Sequence, residues 1–267
     1  MSLLNLFSFG GGRQSTAALV LAAQGRIHFP TFVFAHVGVD SEHPDTLDYI
    51  ERYSKPYALA HGIEFVELHR RKRDGSVETV YGRAMRTDNR TIPIPARMSN
   101  GAPGNRMCTV DFKLKQVERF AKQRGATVDN RASVGIGFSV NELSRMRTDD
   151  PRGVQHLVYP LVDLRLTTQD CINIVRDAGL PEPPKSACWF CPFHSRANWH
   201  ALKRRRPDLF QKAVELERHL NVKRGALGRD QMWLTAFARP LDEVIQGEQV
   251  DWTEAVDDTC NIYSCMT

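Results

Sequence analysis

Residues 7–16 read FSFGGGRQST, an apolar run that ends in three successive glycines and leads into a helix-forming segment. Because glycine has no Cβ, the backbone of such a turn can approach a phosphate closely. The helix that follows would present N–H groups and the positive end of its dipole to the anion. The turn is neither a Walker A loop nor a dinucleotide-binding fingerprint, since both spacings fail. It predicts an anion-binding strand–turn–helix unit, with a turn that binds nothing as the simpler alternative.

Strand-like and helix-like segments alternate around this turn. Strands are predicted at 3–9, 31–39, 63–68 and 132–137, and helices at 15–24, 44–61, 112–124 and 167–178. This alternation predicts a doubly wound α/β fold with a mainly parallel sheet covered by helices on both faces. Residues 70–107 show no sustained periodicity, so we expect a long surface excursion there.

The chain after Cys188 is predicted to be mainly helical, at 198–220 and 227–237. We therefore expect a nucleotide-binding α/β domain at 1–180 and a Cys-containing helical region packed on it at 181–267. A chain of 267 residues can bury a full core without disulfides. No apolar run approaches the roughly 18–20 residues of a membrane span, and the first residues lack signal-peptide features. We expect a cytoplasmic protein without membrane contact.

The net charge of +5 suits a polyanionic partner without requiring one. The densest basic runs, at 70–73 and 203–206, are either solvated faces or phosphate contacts for a nucleic acid. The chain also holds six cysteines. In a reducing compartment, clustered cysteines favour metal or redox chemistry over structural disulfides.

Cys188 and Cys191 form a C-x-x-C motif flanked by aromatic residues. From the residues alone, this pair suits half a zinc site, a redox pair or ligands of an iron–sulfur cluster. Cys108 is the third candidate thiolate, because polar and glycine-rich neighbours are not typical of a residue in the hydrophobic core. Cys171 is assigned to the core. The candidates for a fourth ligand are Cys265, Cys171, His194 and Cys260, and Cys260 is the one adopted.

Several further motifs follow the glycine turn in a fixed order. They are FAHVGVD at 34–40, EHPDT at 42–46, RMCTVDFK at 106–113, VGIG at 134–137, ELSR at 142–145, YPL at 159–161 and CWFCPF at 188–193. Over about residues 4–215, this ordered set resembles the PP-loop ATP pyrophosphatase superfamily, in its phosphoadenosine phosphosulfate reductase-like branch. The usual turn of that superfamily is Ser-Gly-Gly-x-Asp-Ser, and here Gly10 replaces the first Ser and Gln14 the Asp.

The resemblance implies an adenine nucleotide alpha-hydrolase-like fold with ATP bound on the glycine turn. The residues it aligns with the nucleotide-binding turn are Gly10, Gly11, Gly12, Gln14 and Ser15, and from their own chemistry Arg13 can add a guanidinium and Thr16 a hydroxyl to the same site. It also implies that Cys108 joins the C-x-x-C pair around a four-iron–four-sulfur cluster, with zinc as the alternative.

Four other side chains lie at predicted strand ends or on strands, where ligands of open α/β sheets bind. His36 would lie near adenine or simply pack, and Asp40 would serve the ribose or a metal. Arg145 would neutralise phosphate or sulfonate charge, and Glu142 would hold Arg145 or bind Mg²⁺. A surface ion pair is the alternative for the last two. With Ser15, they are the candidate catalytic residues.

Together these expectations predict an ATP-dependent sulfur transferase. ATP and Mg²⁺ would adenylate an oxygen of a nucleic acid or nucleoside, pyrophosphate would leave, and the cluster would supply or position sulfide from a sulfur-donor protein. DNA phosphorothioation and tRNA thiolation proteins use similar chemistry. One alternative is a sulfonucleotide reductase with Cys260 or Cys265 as nucleophile. The other is a nucleotide- or nucleic-acid-binding module without turnover, because Gln14 replaces the Asp.

Overall fold

The computed structural model describes residues 4–88, 90–148 and 152–246. Its strands are β1 (Asn5–Phe9), β2 (Thr31–His36), β3 (Glu64–His69), β4 (Ala132–Ile136) and β5 (Gln155–Val158). They form a five-stranded sheet in the order β3-β2-β1-β4-β5, with every pair of neighbours parallel. The predicted fold class, a doubly wound α/β fold, is confirmed. The order reverses between β1 and β4, so the loops after these strands flank the crevice where such sheets bind ligands.

Helices cover the sheet and continue beyond it. They are α1 (Arg13–Ala23), α2 (Pro44–Tyr49), α3 (Lys55–Ala60), α4 (Val80–Met85), α5 (Met107–Thr109), α6 (Lys115–Gln123), α7 (Pro160–Asp163), α8 (Thr168–Asp177), α9 (Arg196–Arg205), α10 (Pro207–Gly225) and α11 (Leu241–Val244). π-Helical turns at Ile50–Ser54 and Val110–Leu114 join α2 to α3 and α5 to α6, and a 3₁₀ turn covers Val140–Arg145. No helix of the described residues is long and apolar enough to cross a membrane.

The two faces of the sheet are buried by different helices, as the alternation of side chains along a strand requires. On one face, Phe7 and Phe32 stack at 4.8 Å and pack with residues of α1 and α8. On the other face, Leu6 and Val33 pack against Phe120 and its neighbours on α6. All four of these strand side chains are fully buried. Both faces are therefore core, which explains why β1 and β2 read as nearly continuous apolar runs.

A third core lies between α4, α9, α10 and α11, and it corrects the expectation for residues 70–107. Val80, Ala84, Ile94 and Ala96 are buried there against side chains of α9 and α10, including Trp199. This stretch is therefore not a surface excursion throughout. Its buried residues lie on one short helix and on coil, so no regular spacing marks them in the sequence. Packing crosses residue 180, and the domain boundary proposed there stays a prediction.

Two helix predictions for the C-terminal region are wrong. The helix expected at 198–220 is broken at Arg206, whose φ of −138° and ψ of 68° are not helical, and α10 begins at Pro207. Proline excludes the preceding residue from the helical region, so it ends one helix and starts the next. Residues 227–237 are not helical either. Instead, Trp233 exchanges backbone hydrogen bonds with Arg97, at 2.7 and 2.8 Å.

Glu217 on α10 fastens this non-helical segment to the third core. Its side chain is only 3% exposed. One carboxylate oxygen accepts the backbone N–H of Leu234 at 2.6 Å and the other accepts that of Leu241 at 2.8 Å. Burial raises the pKa of Glu217 to about 7 despite these two donors. The folded protein therefore binds a proton here over a pH range in which the unfolded chain does not.

We expect Glu217→Gln to remove a pH dependence of stability. A folded-state pKa of about 7, above the ordinary 4.5, contributes stability fully below the unfolded pKa and loses it as the pH rises through 7. The shift corresponds to about 3 kcal/mol. Urea unfolding at several pH values should show the wild type losing that much relative to the variant between about pH 5 and pH 8. Exposed Glu215 on the same helix is the matched control, and parallel pH profiles for wild type and Glu217→Gln would contradict the expectation.

Candidate functional site

The glycine turn between β1 and α1 is packed too tightly for a side chain at its middle residue, Gly11. Gly11 has a φ of +79°, and a Cβ on it would lie 2.8 Å from Cγ2 of Thr46 on α2. Gly12 caps the N-terminus of α1. Only glycine fits both the left-handed backbone and the close approach at residue 11. The predicted strand–turn–helix unit is present, with the turn at the carboxyl edge of the sheet.

The hydroxyls of Ser15 and Thr16 form hydrogen bonds within this turn. Each donates to the carbonyl of Gly12 at 3.0 Å. Oγ of Ser15 also accepts the N–H of Gly12 at 3.1 Å, and both side chains are buried. In this arrangement they hold the shape of the turn, and a phosphate would meet backbone N–H groups at the start of α1. Arg13, at the rim, forms an ion pair with Glu182 at 2.6 Å.

Gln14 connects the start of α1 to the loop after β4. Its Nε2 lies 3.1 Å from Oε2 of Glu142, in a buried hydrogen bond, and 3.5 Å from Oγ1 of Thr168. The other oxygen of Glu142 faces NH1 of Arg145 at 2.6 Å. A Cβ on Gly137 would lie 3.3 Å from the backbone N of Ser15. The two loops that flank the crevice are therefore in direct contact, and Glu142 and Arg145 form the predicted pair.

This contact gives a physical reason for Gln at position 14. The carboxamide donates a hydrogen bond to the buried carboxylate of Glu142. An aspartate in its place would bring a second negative charge to the same buried location, which is costly without a cation between the two. Glu142 also accepts the backbone N–H of Ser139 at 3.3 Å. As arranged, the carboxylate of Glu142 serves to hold Arg145 and the two loops together.

We expect Gln14→Glu to lower the free energy of unfolding by about 1–3 kcal/mol at neutral pH, because it buries two carboxylates against each other. The added charge makes this loss larger than the loss caused by removing the hydrogen bonds alone. Gln14→Met is the matched control, since it keeps the length of the side chain and removes only the hydrogen bonds. Chemical unfolding of the two variants at neutral pH checks this, and an equal loss of stability in both would contradict it.

His36 and Asp40 mark the end of β2. His36 is buried, its Nδ1 accepts the N–H of Gly38 at 2.9 Å, and its ring stacks on His69 at 4.9 Å. Burial, with a contribution from His69, lowers the pKa of His36 to about 4, so the ring is neutral near pH 7. The carboxylate of Asp40 is exposed and accepts hydroxyl hydrogen bonds from Ser41 and Thr79, each at 2.8 Å. His36 is thus packed, and its proposed place near adenine stays a prediction.

Residues 186–189 connect the glycine turn to the loop after β2. The hydroxyl of Ser186 donates to the carbonyl of Gly10. Two residues later, Cys188 forms an antiparallel bridge with Glu42. The indole N–H of Trp189 donates to the backbone carbonyl of Asp40 at 2.8 Å. The C-x-x-C motif is therefore attached directly to the carboxyl edge that carries the glycine turn.

Cys108, Cys188 and Cys191 line one cavity at this edge. The cavity is otherwise lined by Val37, Val80, Ile94, Pro95, Arg106, Thr109, Lys113, Phe190, Pro192 and Phe193. The backbone N–H of Cys191 donates to the carbonyl of Cys188 at 3.1 Å, so these two cysteines lie on one tight turn. The guanidinium of Arg106 lies 4.1 Å from the centre of the Phe193 ring. The structure thus places at one cavity the three cysteines that the sequence analysis grouped as candidate ligands.

The donor set of this cavity fits an iron–sulfur cluster. The three cysteines line a cavity of mostly apolar and aromatic side chains, and the cations Arg106 and Lys113 can offset the negative charge of thiolate ligands. Within the described part of the chain, no group of three or more His, Cys, Asp or Glu side chains is already arranged to hold a single metal ion. His194, a candidate fourth ligand, has its Nε2 2.9 Å from the carbonyl of Cys188.

Cys171 does not line this cavity. Cys171 is fully buried on α8, where burial raises the pKa of its thiol to about 12. It is a core residue, as the sequence predicts. Cys260 and Cys265 lie outside the described residues, so the assignment of Cys260 as the fourth ligand stays a prediction.

The structure adds two site residues that sequence reasoning missed. Ser186 ties the cysteine segment to the glycine turn, and Thr168 lies within reach of Gln14 and of Oγ of Ser139, at 3.2 Å from the latter. Thr168 stands at the start of the predicted helix α8, which is a signal for a helix terminus rather than for a site. Ser186 has no local signal, because a single serine between apolar and basic residues fits any loop.

Comparison with known proteins adds little to this picture. No family model and no curated protein matches the chain. Among solved structures it is similar to the U34-tRNA thiolase NcsA from Methanococcus maripaludis with its 4Fe-4S cluster. The match covers 82% of this chain and 72% of that one, at 12% identity and a TM-score of 0.38. A score this low does not establish a common fold, so no inference rests on it.

Proposed function

We propose that the protein is an ATP-dependent sulfur transferase that acts on a nucleic acid or nucleoside with the help of a four-iron–four-sulfur cluster. The observation that carries this proposal is the attachment of the cysteine cavity to the glycine turn. Ser186 binds Gly10, and Cys188 and Cys191 follow within five residues on the same segment. The glycine turn and the three-cysteine cavity are thereby held at one edge of one sheet.

The nucleotide half of the site is built from the glycine turn. Backbone N–H groups at the start of α1 would bind the β- and γ-phosphates, and the cramped approach at Gly11 keeps the turn in one shape. Arg145, oriented by Glu142, would neutralise charge that develops as pyrophosphate leaves. The exposed carboxylate of Asp40 would bind the ribose or Mg²⁺. The oxygen of the acceptor attacks the α-phosphorus, the bond to pyrophosphate breaks, and AMP remains on the acceptor.

The sulfur half of the site is the cavity of Cys108, Cys188 and Cys191. Their thiolates would hold the cluster, which when bound would supply the sulfur or hold it for transfer. Arg106 and Lys113 would stabilise the negative charge, and the apolar lining would keep water and oxidants away. Sulfur then replaces the activated oxygen, and AMP leaves. A sulfur-donor protein would restore the lost sulfide.

Loss of any of the three cysteines should remove the metal centre. Protein purified without oxygen should contain about four irons and four sulfides per chain and show the broad visible absorption of such clusters. We expect Cys108→Ser, Cys188→Ser and Cys191→Ser each to lower the iron content severely. Cys171→Ala is the matched control, because that thiol lies in the core away from the cavity, and it should keep its iron. A colourless wild type that contains zinc would refute the cluster.

Release of pyrophosphate from ATP should depend on the glycine turn. Gly11 and Gly25 both have left-handed backbones, with φ of +79° and +72°, but a Cβ on Gly25 meets nothing within 4 Å. Both alanine variants incur the same kind of backbone strain. Only Gly11→Ala forces the turn away from Thr46, and a misplacement of about 1 Å can lower a rate about 100-fold.

We therefore expect Gly11→Ala to lose most of the acceptor-dependent release of pyrophosphate and Gly25→Ala to keep it. The measurement is pyrophosphate release with ATP, with and without added RNA or DNA. Equal rates in the two variants would contradict the role of the turn. Release of sulfite from an adenylyl sulfate would instead identify a sulfonucleotide reductase. Binding of ATP without any product would identify a module that does not turn over.

A further inference from the structure

The two basic runs of the chain have different environments. In the first, Arg70 donates to Glu78 at 2.6 Å, and Arg71 donates to the carbonyl of Gly75 at 2.9 Å. Arg71 and Val77 also form an antiparallel bridge, so this run turns back on itself. Lys72 and Arg73 stay exposed near its tip. Two of the four basic residues of the first run therefore stabilise the loop to which they belong.

The second run ends helix α9 beside an open cavity. The side chains that line the cavity are His43, Asp45, Pro184, Lys185, Ala187, His194, Asn198, Ala201, Leu202 and Arg205. Its volume is about 160 Å³, whereas one water needs only about 10–15 Å³ on this measure. The cavity thus has room for a phosphate group together with some of its water.

The polar lining of this cavity is suited to an anion. Lys185 and Arg205 contribute two cations, and Asn198 contributes an amide. Burial lowers the pKa of His43, whose Nδ1 accepts the backbone N–H of Asp45 at 3.2 Å. The neutral ring then carries its proton on Nε2 and is a donor.

The one acidic side chain among the lining residues is Asp45. It is opposed by the cations of the cavity and by Arg206, which also binds Asp208 at 2.9 Å. Exposed Arg204 and Arg205 extend the positive charge along the last turn of α9. The surroundings of the cavity are therefore net positive.

This cavity adjoins both halves of the site. Lys185 directly precedes Ser186, which binds Gly10. The N–H of His43 donates to the carbonyl of Ala187 at 3.1 Å. His194 contacts the carbonyl of Cys188 through its Nε2. The segment that joins the glycine turn to the cysteines is thus one wall of the cavity, and an anion held there lies next to the site.

We propose that this cavity binds a backbone phosphate of a polynucleotide acceptor, and that Arg204 and Arg205 follow the strand away from it. The proposal rests on the proposed function in taking the acceptor to be a nucleic acid. Arg205 can contact a phosphate through two N–H groups, with Lys185 as a point charge and His43 and Asn198 as neutral donors. Contacts of this kind set the position of the strand and read no sequence. They would place a nearby nucleotide at the crevice.

The test compares two double variants of matched charge. Lys185→Ala with Arg205→Ala removes the cations of the cavity, and Lys72→Ala with Arg73→Ala removes two exposed cations of the other run. Binding of fluorescently labelled single-stranded RNA and DNA oligonucleotides is followed by anisotropy over a range of salt concentrations. Loss of one phosphate contact should lower the salt slope by about 0.7 and the affinity about 5-fold at 0.1 M salt. The variant of the other run should bind like the wild type.

Lys185→Arg with Arg205→Lys, which keeps both charges, should keep the salt slope. Equal losses in the two alanine pairs, or no loss in the cavity pair, would overturn the assignment of the cavity while the wild type still binds. A wild type that binds neither RNA nor DNA would overturn the polynucleotide acceptor itself. Pyrophosphate release and iron content are read separately, so these failures can be distinguished. The RNA and DNA arms show which backbone the cavity prefers.

Discussion

The close approach of Gly11 to α2 is the constraint on which the carboxyl edge of the sheet depends. A side chain at this position would collide with Thr46, and the backbone there is left-handed. Around the same turn, Gly137 lies against the backbone of Ser15 and Ser186 binds Gly10. Three segments that are far apart in sequence therefore contact the backbone of this turn directly. The shape of the turn, the position of the loop after β4 and the position of the cysteine segment are consequently coupled.

The buried carboxylate of Glu142 extends this coupling through charge. A buried carboxylate is stable only if hydrogen bonds and a cation replace the water it loses. Gln14 supplies an amide, Ser139 a backbone N–H and Arg145 a guanidinium. Because the first of these donors comes from α1 and the others from the loop after β4, the carboxylate joins the two sides of the crevice. The same arrangement leaves Arg145 partly exposed, where it can meet an anion.

Positive charge has two different uses in the chain. Arg83 is nearly buried and forms ion pairs with Glu78 at 2.5 Å and Asp111 at 2.7 Å, where it lies 4.6 Å from the ring of Phe112. With Arg70, it stabilises the turn that follows helix α5, and α5 carries Cys108 of the cysteine cavity. Arg204 and Arg205, by contrast, are exposed beside an open cavity. The basic residues behind the net charge of +5 therefore include both structural and surface cations. Only their surroundings in the folded protein distinguish the two kinds.

The sequence by itself determined the glycine turn, the alternation of strands and helices, and hence the doubly wound sheet, because these depend on local spacing and backbone chemistry. It also selected Cys108, Cys188 and Cys191 as one group. Only the tertiary structure decided which residues that are far apart in sequence contact one another. Strand β5 is four residues long and partly polar, so only its pairing with β4 reveals it. Val80, Ala84, Ile94 and Ala96 are buried by α9 and α10, about a hundred residues later in the chain. Residues 227–237 stay non-helical because their hydrogen bonds go to Arg97 and Glu217, and no local pattern can carry that information.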